Sequence, residues 1–185
     1  MKKTALVPIA DGTEEIEAAC IIDVLRRAGV EVTVASVMQQ QEITASRGLM
    51  IKADLSIAEC ADQTFDLIAL PGGMPGAEHL RDCDELTAML RNQSDSGRIY
   101  AAICASPAVV LEHHGLLNGK KATCYPSFLD QLKGAEAADS TVVKDGNCIT
   151  SQGPGTALKF ALTLVSAILG AERARKVAEA MLVKQ

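Results

Sequence analysis

One cysteine ends a short apolar run in the middle of the chain, where a nucleophile could be placed. Residues Arg98–Pro107 have the sequence R-I-Y-A-A-I-C-A-S-P. Within it, Ile99–Ile103 has the length and residue types of a strand buried on both faces. The next stretch, Ala105–Leu111, is rich in Ala and Val, and its Pro107 suits the first turn of a helix. The pattern predicts a sharp strand-to-helix turn at Cys104, the arrangement called a nucleophile elbow.

Two interpretations of Cys104 are open from these residues. Unpaired N–H groups at a helix N-terminus favour an anion, so the pKa of the thiol is expected to be lowered and a reactive thiolate to form. The alternative is an inert buried side chain, since free cysteine is among the most buried residue types. His113 and His114 lie about 13 Å further along the helix, too far to act as a base for the sulfur. This distance counts against a Cys–His protease.

A second candidate group follows the first predicted strand, in the sequence A-D-G-T-E-E-I-E. Asp11 or Thr13 is predicted to cap the helix that begins there, and acidic residues crowd its first turn. Carboxylates at that position are stabilised by the helix dipole and are commonly solvated. If the junction opens beside Cys104, however, burial and a neighbouring negative charge raise the pKa of Glu17. Glu17 is then a usable general acid.

Two glycine-rich segments are candidates for contact with a bound group. Gly72 and Gly73 lie in L-P-G-G-M-P-G-A, and glycine lets the backbone approach a ligand closely. The N–H groups of Gly73 and Ala105 could together form an oxyanion hole. The alternative is an ordinary tight turn into a helix. Gly153–Gly155 is predicted to be a loop before the last long helix, with Pro154 at the rim of a site.

The predicted elements alternate between strands and helices. Strands are predicted at Ala5–Ile9, Glu31–Val37, Asp66–Leu70 and Ile99–Ile103; helices at Glu14–Ala28, Cys83–Arg91, Ala105–Leu111, Thr156–Leu169 and Glu172–Val183; a small antiparallel excursion at Ile43–Ser56; and a hairpin turn at Lys144–Asn147. This order predicts an α/β fold, with helices on both faces of a mostly parallel sheet. Ligands bind outside the carboxyl ends of such strands, where Ala10–Thr13, Pro71–Gly73 and Cys104 are expected. Nothing marks a domain boundary, so one domain is expected over residues 1–185.

Composition excludes several classes of function. The net charge is −5, aromatic residues make up 3% of the 185 residues and Trp is missing, so binding to nucleic acid is not expected. No run reaches the ~20 apolar residues of a membrane span, and the apolar start is too short for a signal peptide. A cytoplasmic location is therefore expected. The six cysteines form no C-x-x-C pair, so a metal site is not expected, and reduced thiols are expected in a chain without an export signal.

Five segments together resemble the DJ-1/ThiJ/PfpI superfamily, in the order typical of it and over nearly the whole chain. They are A-D-G-T-E-E-I-E at 10–17, A-S-R-G at 45–48, L-P-G-G at 70–73, A-A-I-C-A-S-P at 101–107 and T-S-Q-G-P-G-T at 150–156. The chain looks most similar to the DJ-1-like branch, which contains the parkinsonism-associated deglycase. The protease branch typically has His after the nucleophile, where this chain has Ala105.

The resemblance implies a flavodoxin-like three-layer sandwich and usually a homodimer. It implies that Cys104 is the nucleophile, that protonated Glu17 bonds its sulfur, and that Gly73 and Ala105 N–H groups hold an oxyanion. The implied activity is cofactor-free conversion of methylglyoxal or glyoxal to hydroxy acids, or repair of early glycation adducts on amines and thiols. Redox sensing and chaperone activity with the same cysteine form the second hypothesis; a peptidase, which lacks a base, is the third.

The chain also departs from the superfamily's pattern near the implied site. Ala45 stands where a second cysteine is often found, so redox signalling through that position is not expected. Tyr125 stands where some relatives have His, and its reference pKa of ~10 makes it unsuitable as a base at neutral pH. Gln152 replaces an Arg of some relatives, which weakens anion binding. Arg47 remains as a candidate cation at the rim of the pocket.

Overall fold

The computed structural model of the chain describes residues 2–183, in which eleven strands and five α-helices form three sheets and their connections. The strands are β1 Thr4–Ile9, β2 Glu31–Ser36, β3 Glu42–Thr44, β4 Met50–Lys52, β5 Leu55–Ser56, β6 Leu67–Leu70, β7 Ile99–Ile103, β8 Lys121–Ala122, β9 Glu136–Ala137, β10 Val142–Asp145 and β11 Cys148–Ser151. The α-helices are α1 Glu15–Arg27, α2 Gly76–Arg81, α3 Asp84–Asp95, α4 Ala157–Leu169 and α5 Ala171–Ala180. Short 3₁₀-helices are at Ile57–Cys60, Pro126–Gln131 and Pro154–Thr156, and a π-helix is at Pro107–Glu112.

The central sheet has seven strands in the order β10-β11-β7-β6-β1-β2-β5. All neighbours are parallel except β10 and β11, which form an antiparallel hairpin at one edge. From β1 the chain first builds outward to β2 and β5, and then crosses to the other side of β1 to form β6 and β7. This reversal leaves a crevice at the carboxyl ends of β1 and β6, the usual place of a ligand site in such sheets. The predicted α/β fold with a mostly parallel sheet is confirmed.

The sheet is buried on both faces because successive side chains of a strand point to opposite sides. On β1, Leu6 packs into the core cluster under α2 and α3, while its neighbour Val7 packs into the cluster under α1 and α4. Ile68 and Ala69 of β6 divide in the same way. Each large apolar side chain buried in this manner contributes about 1.5–3 kcal/mol. Two cores therefore hold the central strands and their ends in place.

Several predicted boundaries differ from the structure. The excursion predicted at Ile43–Ser56 includes the antiparallel pair β3–β4, but Leu55–Ser56 returns to the central sheet as a parallel edge strand. Helix α2 and the short strands β8 and β9 were not expected. The helix predicted from Ala105 is a π-helix over Pro107–Glu112. Within residues 2–183, no helix is both long and apolar enough to span a membrane.

The predicted cap of α1 is wrong. The N-cap is Glu14, whose carboxylate accepts the N–H of Glu17 at 2.8 Å. Asp11 instead accepts the N–H of Thr44 at 2.8 Å, and Thr13 accepts the N–H of Ala10 at 2.9 Å. Both side chains are used to shape the loop before the helix. The side chains of Asp11 and Thr13 hold this loop against β3 and against the end of β1, so neither can cap the helix, and Glu14 does so instead.

Candidate active site

Three loops meet at the carboxyl edge of the central sheet, as the sequence predicts. Strand β6 pairs in parallel with β1 on one side and β7 on the other, so the segments that follow these strands are neighbours. Two hydrogen bonds join them: Ser106 Oγ donates to the carbonyl of Pro71 at 2.6 Å, and Glu14 N–H donates to the carbonyl of Gly72 at 2.9 Å. The segment 71–73 is thus held between the cysteine turn and the start of α1.

Cys104 forms the sharp turn that the sequence predicts. Its φ is +65°, a backbone conformation that is uncommon for residues other than glycine and that marks functional sites when the surroundings hold it. The surroundings do so through two hydrogen bonds: Cys104 N–H donates to Ser151 at 3.0 Å, and the Cys104 carbonyl accepts Tyr125 N–H at 2.7 Å. The side chain remains partly accessible. A thiol on a strained backbone, only partly accessible, therefore lies at the end of a buried strand.

Glu17 is a fully buried carboxyl group beside this thiol. Its Oε2 accepts the N–H of Gly72 at 2.7 Å, while its Oε1 is buried and finds no hydrogen-bond donor among residues 2–183. Burial raises the pKa of Glu17 from 4.5 to about 7, against the hydrogen bonds from Gly72 and Cys104, which lower it. A carboxyl with this pKa carries a proton in a large part of the molecules at neutral pH. The predicted direction of the shift, caused by burial, agrees with the structure.

The expectation of a lowered pKa for Cys104 is wrong. Burial, followed by the negative charge of Glu17 and the hydrogen bond with it, raises the pKa of the thiol to about 12. The N–H groups of Gly73 and Ala105 donate to the sulfur and oppose this increase. The sulfur lies in an enclosed position next to a carboxyl group, and not at the open end of a helix. The two negative charges repel each other only when both groups have lost their protons, so loss of the first proton makes loss of the second harder and the two groups titrate as a pair.

Glycine is required at both positions of the loop after β6. A Cβ on Gly72 would lie 2.6 Å from the Cβ of Cys104 and 2.9 Å from Oε2 of Glu17. Gly73 has a φ of +91°, and a Cβ there would overlap the backbone of Gly12 and Glu14. The missing side chains allow the loop backbone to touch both candidate groups. Gly73 N–H can therefore point at the sulfur.

We expect Gly72→Ala to separate Cys104 from Glu17 while the fold is retained. The added methyl group overlaps both side chains, and a displacement of about 1 Å in such a site can lower activity ~100-fold. Overpacking of this kind also lowers the free energy of unfolding by about 1–3 kcal/mol. Urea denaturation and thiol alkylation rates measure the two effects. Gly97→Ala is the control for destabilisation without overlap at the site, because a side chain at its φ of +72° strains the backbone although the space around it is open. Equal alkylation rates in Gly72→Ala and the wild type would contradict the prediction.

The three residues predicted at the rim are placed differently from one another. Tyr125 is bonded through its backbone to Cys104, and one edge of its ring lies beside Gly153. Tyr125 is therefore next to the nucleophile, and Pro154 directly follows the glycine that the ring contacts. Arg47 is exposed, and its backbone N–H donates to the carboxylate of Glu15 at 2.9 Å. The structure ties Arg47 to the first turn of α1 and gives it no contact with the sulfur within residues 2–183.

Sequence reasoning did not identify the roles of Ser106 and Ser151. Ser106 is fully buried and anchors the loop after β6 through Pro71. The carbonyl of Ser151 holds the N–H of Cys104. A serine two residues after a candidate nucleophile could have been noticed, but its partner is 35 residues away in the chain. The hydrogen bond of Ser151 depends on the pairing of β11 with β7, which no local pattern specifies.

Comparison with known proteins identifies the kind of protein that has this arrangement. The model of the DJ-1/PfpI family matches residues 3–167. The chain belongs to the DJ-1/PfpI family. A structure of Toxoplasma gondii DJ-1 in an oxidized form is 48% identical and has a TM-score of 0.97, with 99% of this chain and 100% of that chain covered. The resemblance found in five sequence segments is confirmed.

Two relatives of this DJ-1/PfpI family chain are informative in other ways. It is 47% identical to protein DJ-1 homolog B of Arabidopsis thaliana over 98% of its own length, but it spans only 42% of that protein. It is 35% identical to the glutathione-independent glyoxalase DJR-1.2 of Caenorhabditis elegans, covering 93% of this chain and 92% of that protein. Family membership therefore extends over nearly the whole chain, and the family includes a protein named as a glyoxalase.

Proposed function

We propose that this DJ-1/PfpI family protein converts α-dicarbonyls such as methylglyoxal, or their early adducts with amines and thiols, into hydroxy acids without a cofactor. The observation that supports this is the shared position of Cys104, Glu17 and the two N–H groups of Gly73 and Ala105. A nucleophile, a proton carrier and a pair of oxyanion donors are the groups that addition to a carbonyl needs.

In the first step the ionised carboxyl of Glu17 takes the proton of the Cys104 thiol, and the resulting thiolate adds to the aldehyde carbon of methylglyoxal. A C–S bond forms, and the electron pair of the carbonyl bond moves to oxygen. The N–H groups of Gly73 and Ala105, which point at the sulfur, stabilise this oxygen as it acquires charge. Proton transfer from Glu17 then gives a neutral hemithioacetal. The buried carboxyl suits this role because its pKa of about 7 allows it to give and take a proton at neutral pH.

In the second step the hydrogen on the former aldehyde carbon moves to the neighbouring carbonyl carbon. The transfer is a hydride shift, or a proton transfer through an enediol that Glu17 assists. The aldehyde carbon is oxidised to a thioester and the ketone is reduced to an alcohol, so no external oxidant or reductant is required. Water then cleaves the thioester, which releases lactate and restores the thiol of Cys104.

Lactate formation from methylglyoxal by the purified protein, with no cofactor or glutathione added, tests this proposal. The C. elegans relative named as a glutathione-independent glyoxalase supports the choice of substrate. We expect lactate to accumulate in proportion to protein concentration. A rate equal to that of buffer, for both methylglyoxal and its adduct with N-acetylcysteine, would overturn the proposed reaction.

The second candidate function is redox sensing, with or without chaperone activity. The partly accessible thiol of Cys104 supports it, as does a relative whose solved structure is described as oxidized. Two equivalents of peroxide convert a thiolate to a sulfinate, with two molecules of water formed. A stable gain of two oxygen atoms on Cys104 after mild peroxide treatment, together with negligible lactate formation, would favour this function over catalysis.

We further propose that the protein acts as a single domain in a homodimer. Ile16 of α1, Leu49 of the β3–β4 loop and Met50 at the start of β4 are each more than half exposed. The two segments are joined, because Ser46 N–H donates to the carbonyl of Thr13, and such exposed apolar groups favour association. Six free cysteines are consistent with a reducing compartment such as the cytoplasm. Sedimentation velocity measures whether the 19.5 kDa chain sediments as a dimer.

A further inference from the structure

The backbone of Tyr125 is fixed next to the candidate nucleophile. Its N–H donates to the carbonyl of Cys104 at 2.7 Å, and its own carbonyl accepts the N–H of Phe128 at 2.9 Å, within the 3₁₀-helix at 126–131. Both polar groups of this residue are therefore used to hold it in place. The side chain starts from a rigid point directly beside the elbow.

One edge of the Tyr125 ring lies beside Gly153. A Cβ on Gly153 would be 3.2 Å from Cδ2 and 3.7 Å from Cε2 of the ring. Gly153 is two residues after Ser151, whose carbonyl accepts the N–H of Cys104. Cys104, Tyr125 and Gly153 thus form one continuous wall, in which Tyr125 contacts the Cys104 turn through its backbone and Gly153 through its ring. It is nevertheless 43% exposed, which leaves aromatic surface free for contact.

The charged groups around Cys104 do not favour an anionic substrate. The charged group that acts on the thiol of Cys104 is the carboxyl group of Glu17. The thiol and the carboxyl group both become negative on losing a proton. The hydrogen bonds of Arg47 go to Glu15 and Ser46. A negatively charged substituent on the substrate is disfavoured by the pair, whereas an uncharged apolar or aromatic substituent can pack on the ring.

We propose that Tyr125 is a specificity-determining residue, whose ring favours dicarbonyls that have an aryl or branched apolar substituent over unsubstituted glyoxal. This inference rests on the proposed function and deepens it, because it names the class of substrate that the site prefers. Packing of one aromatic ring on another contributes about 0.5–1.5 kcal/mol beyond the area that it buries. Such a contribution corresponds to a preference of about 2- to 12-fold.

The test compares kcat/KM for phenylglyoxal and glyoxal in the wild type, Tyr125→Ala and Tyr125→Phe. We expect the ratio of the two values to fall about 3- to 10-fold in Tyr125→Ala and to be retained in Tyr125→Phe, which keeps the ring. Leu169→Ala is the control for loss of an exposed apolar side chain, since Leu169 is 37% exposed at the far end of α4. Its ratio is expected to equal that of the wild type.

A second measurement does not depend on turnover. Phenacyl bromide and bromoacetone both alkylate a thiolate, with formation of a C–S bond and release of bromide, and mass spectrometry follows the rate at Cys104. We expect the same loss of preference for the aryl reagent in Tyr125→Ala. An unchanged preference, or an equal loss in Tyr125→Phe, overturns the inference. Retained aryl preference in alkylation without any turnover of aldehydes overturns the proposed reaction alone.

Discussion

Cys104→Ser is expected to lower lactate formation from methylglyoxal at least about 1,000-fold, to the rate of buffer. An alcohol in the same position is a much weaker nucleophile than a thiol, and the buried carboxyl of Glu17 is too weak a base to ionise it. The N–H groups of Gly73 and Ala105 remain in place in this variant, so the loss reports on the sulfur. An enzymatic assay for lactate, with variant and wild type at equal concentration, measures the effect.

The matched control is Cys20→Ser, which removes a partly exposed thiol from α1. The pKa of Cys20 is raised by burial and by its acidic neighbours, and within residues 2–183 no backbone N–H group opposes that increase as Gly73 and Ala105 do at Cys104. We expect full activity in this variant, and equal thermal midpoints for both serine variants. Activity of Cys104→Ser at the level of Cys20→Ser would show that the reaction does not use the thiol at the elbow.

Glu17→Gln is expected to lower kcat/KM for methylglyoxal about 100-fold at pH 7, the contribution typical of a general acid–base group. The amide is close in shape to the carboxyl, and its oxygen can accept the N–H of Gly72. What the substitution removes is the group that takes the proton of the Cys104 thiol and returns it to the substrate. The measurement is steady-state kinetics of both proteins at several values of pH.

The dependence of activity on pH is also expected to differ between the wild type and Glu17→Gln. In the wild type both groups are protonated at low pH, and the first proton leaves the pair near pH 7, where Glu17 titrates. Activity is therefore expected to rise as pH passes through about 7. In Glu17→Gln the thiol must lose its proton without help, so the increase moves to higher pH. A variant profile with the same midpoint as that of the wild type would assign the titration to another group.

The same substitution is expected to increase stability at high pH only. The carboxyl has a pKa of 4.5 when the chain is unfolded and about 7 when it is folded, so the folded state binds the proton more tightly. Stability from this group is present below pH 4.5 and is lost as pH rises through about 7. The quantity to compare is the free energy of unfolding of Glu17→Gln minus that of the wild type. We expect this difference to be higher at pH 8 than at pH 4 by up to about 3 kcal/mol. Urea denaturation at the two values of pH measures this.

Much of the architecture follows from local patterns. Short apolar runs such as Ala5–Ile9 and Ile99–Ile103 are strands in the structure with nearly the predicted ends, because a strand buried on both faces needs continuous apolar residues. The alternation of strands and helices then determines a mostly parallel sheet. Chain direction alone places the candidate loops at its carboxyl edge. The turn at Cys104 could be predicted for the same reason.

Local patterns could not assign short elements whose stability comes from distant contacts. Strands β8 and β9 have two residues each and exist through pairing with each other. The π-helix after Cys104 has a sequence that suits an α-helix, and it packs against α2 and the 3₁₀-helix at 126–131. Tertiary packing selects the conformation in these cases, since the intrinsic preferences are small.

The sequence by itself determined the types of the reacting groups, the glycines between them and the family. Only the tertiary structure decided their protonation. Glu17 is one of three glutamates in four residues, and what distinguishes it is full burial under the loop after β6. The pKa of Cys104 is raised, and not lowered, because its thiol is buried and because that carboxyl group lies against its sulfur. Desolvation and charge–charge interaction depend on distances between residues far apart in the chain, and no sequence pattern contains those distances.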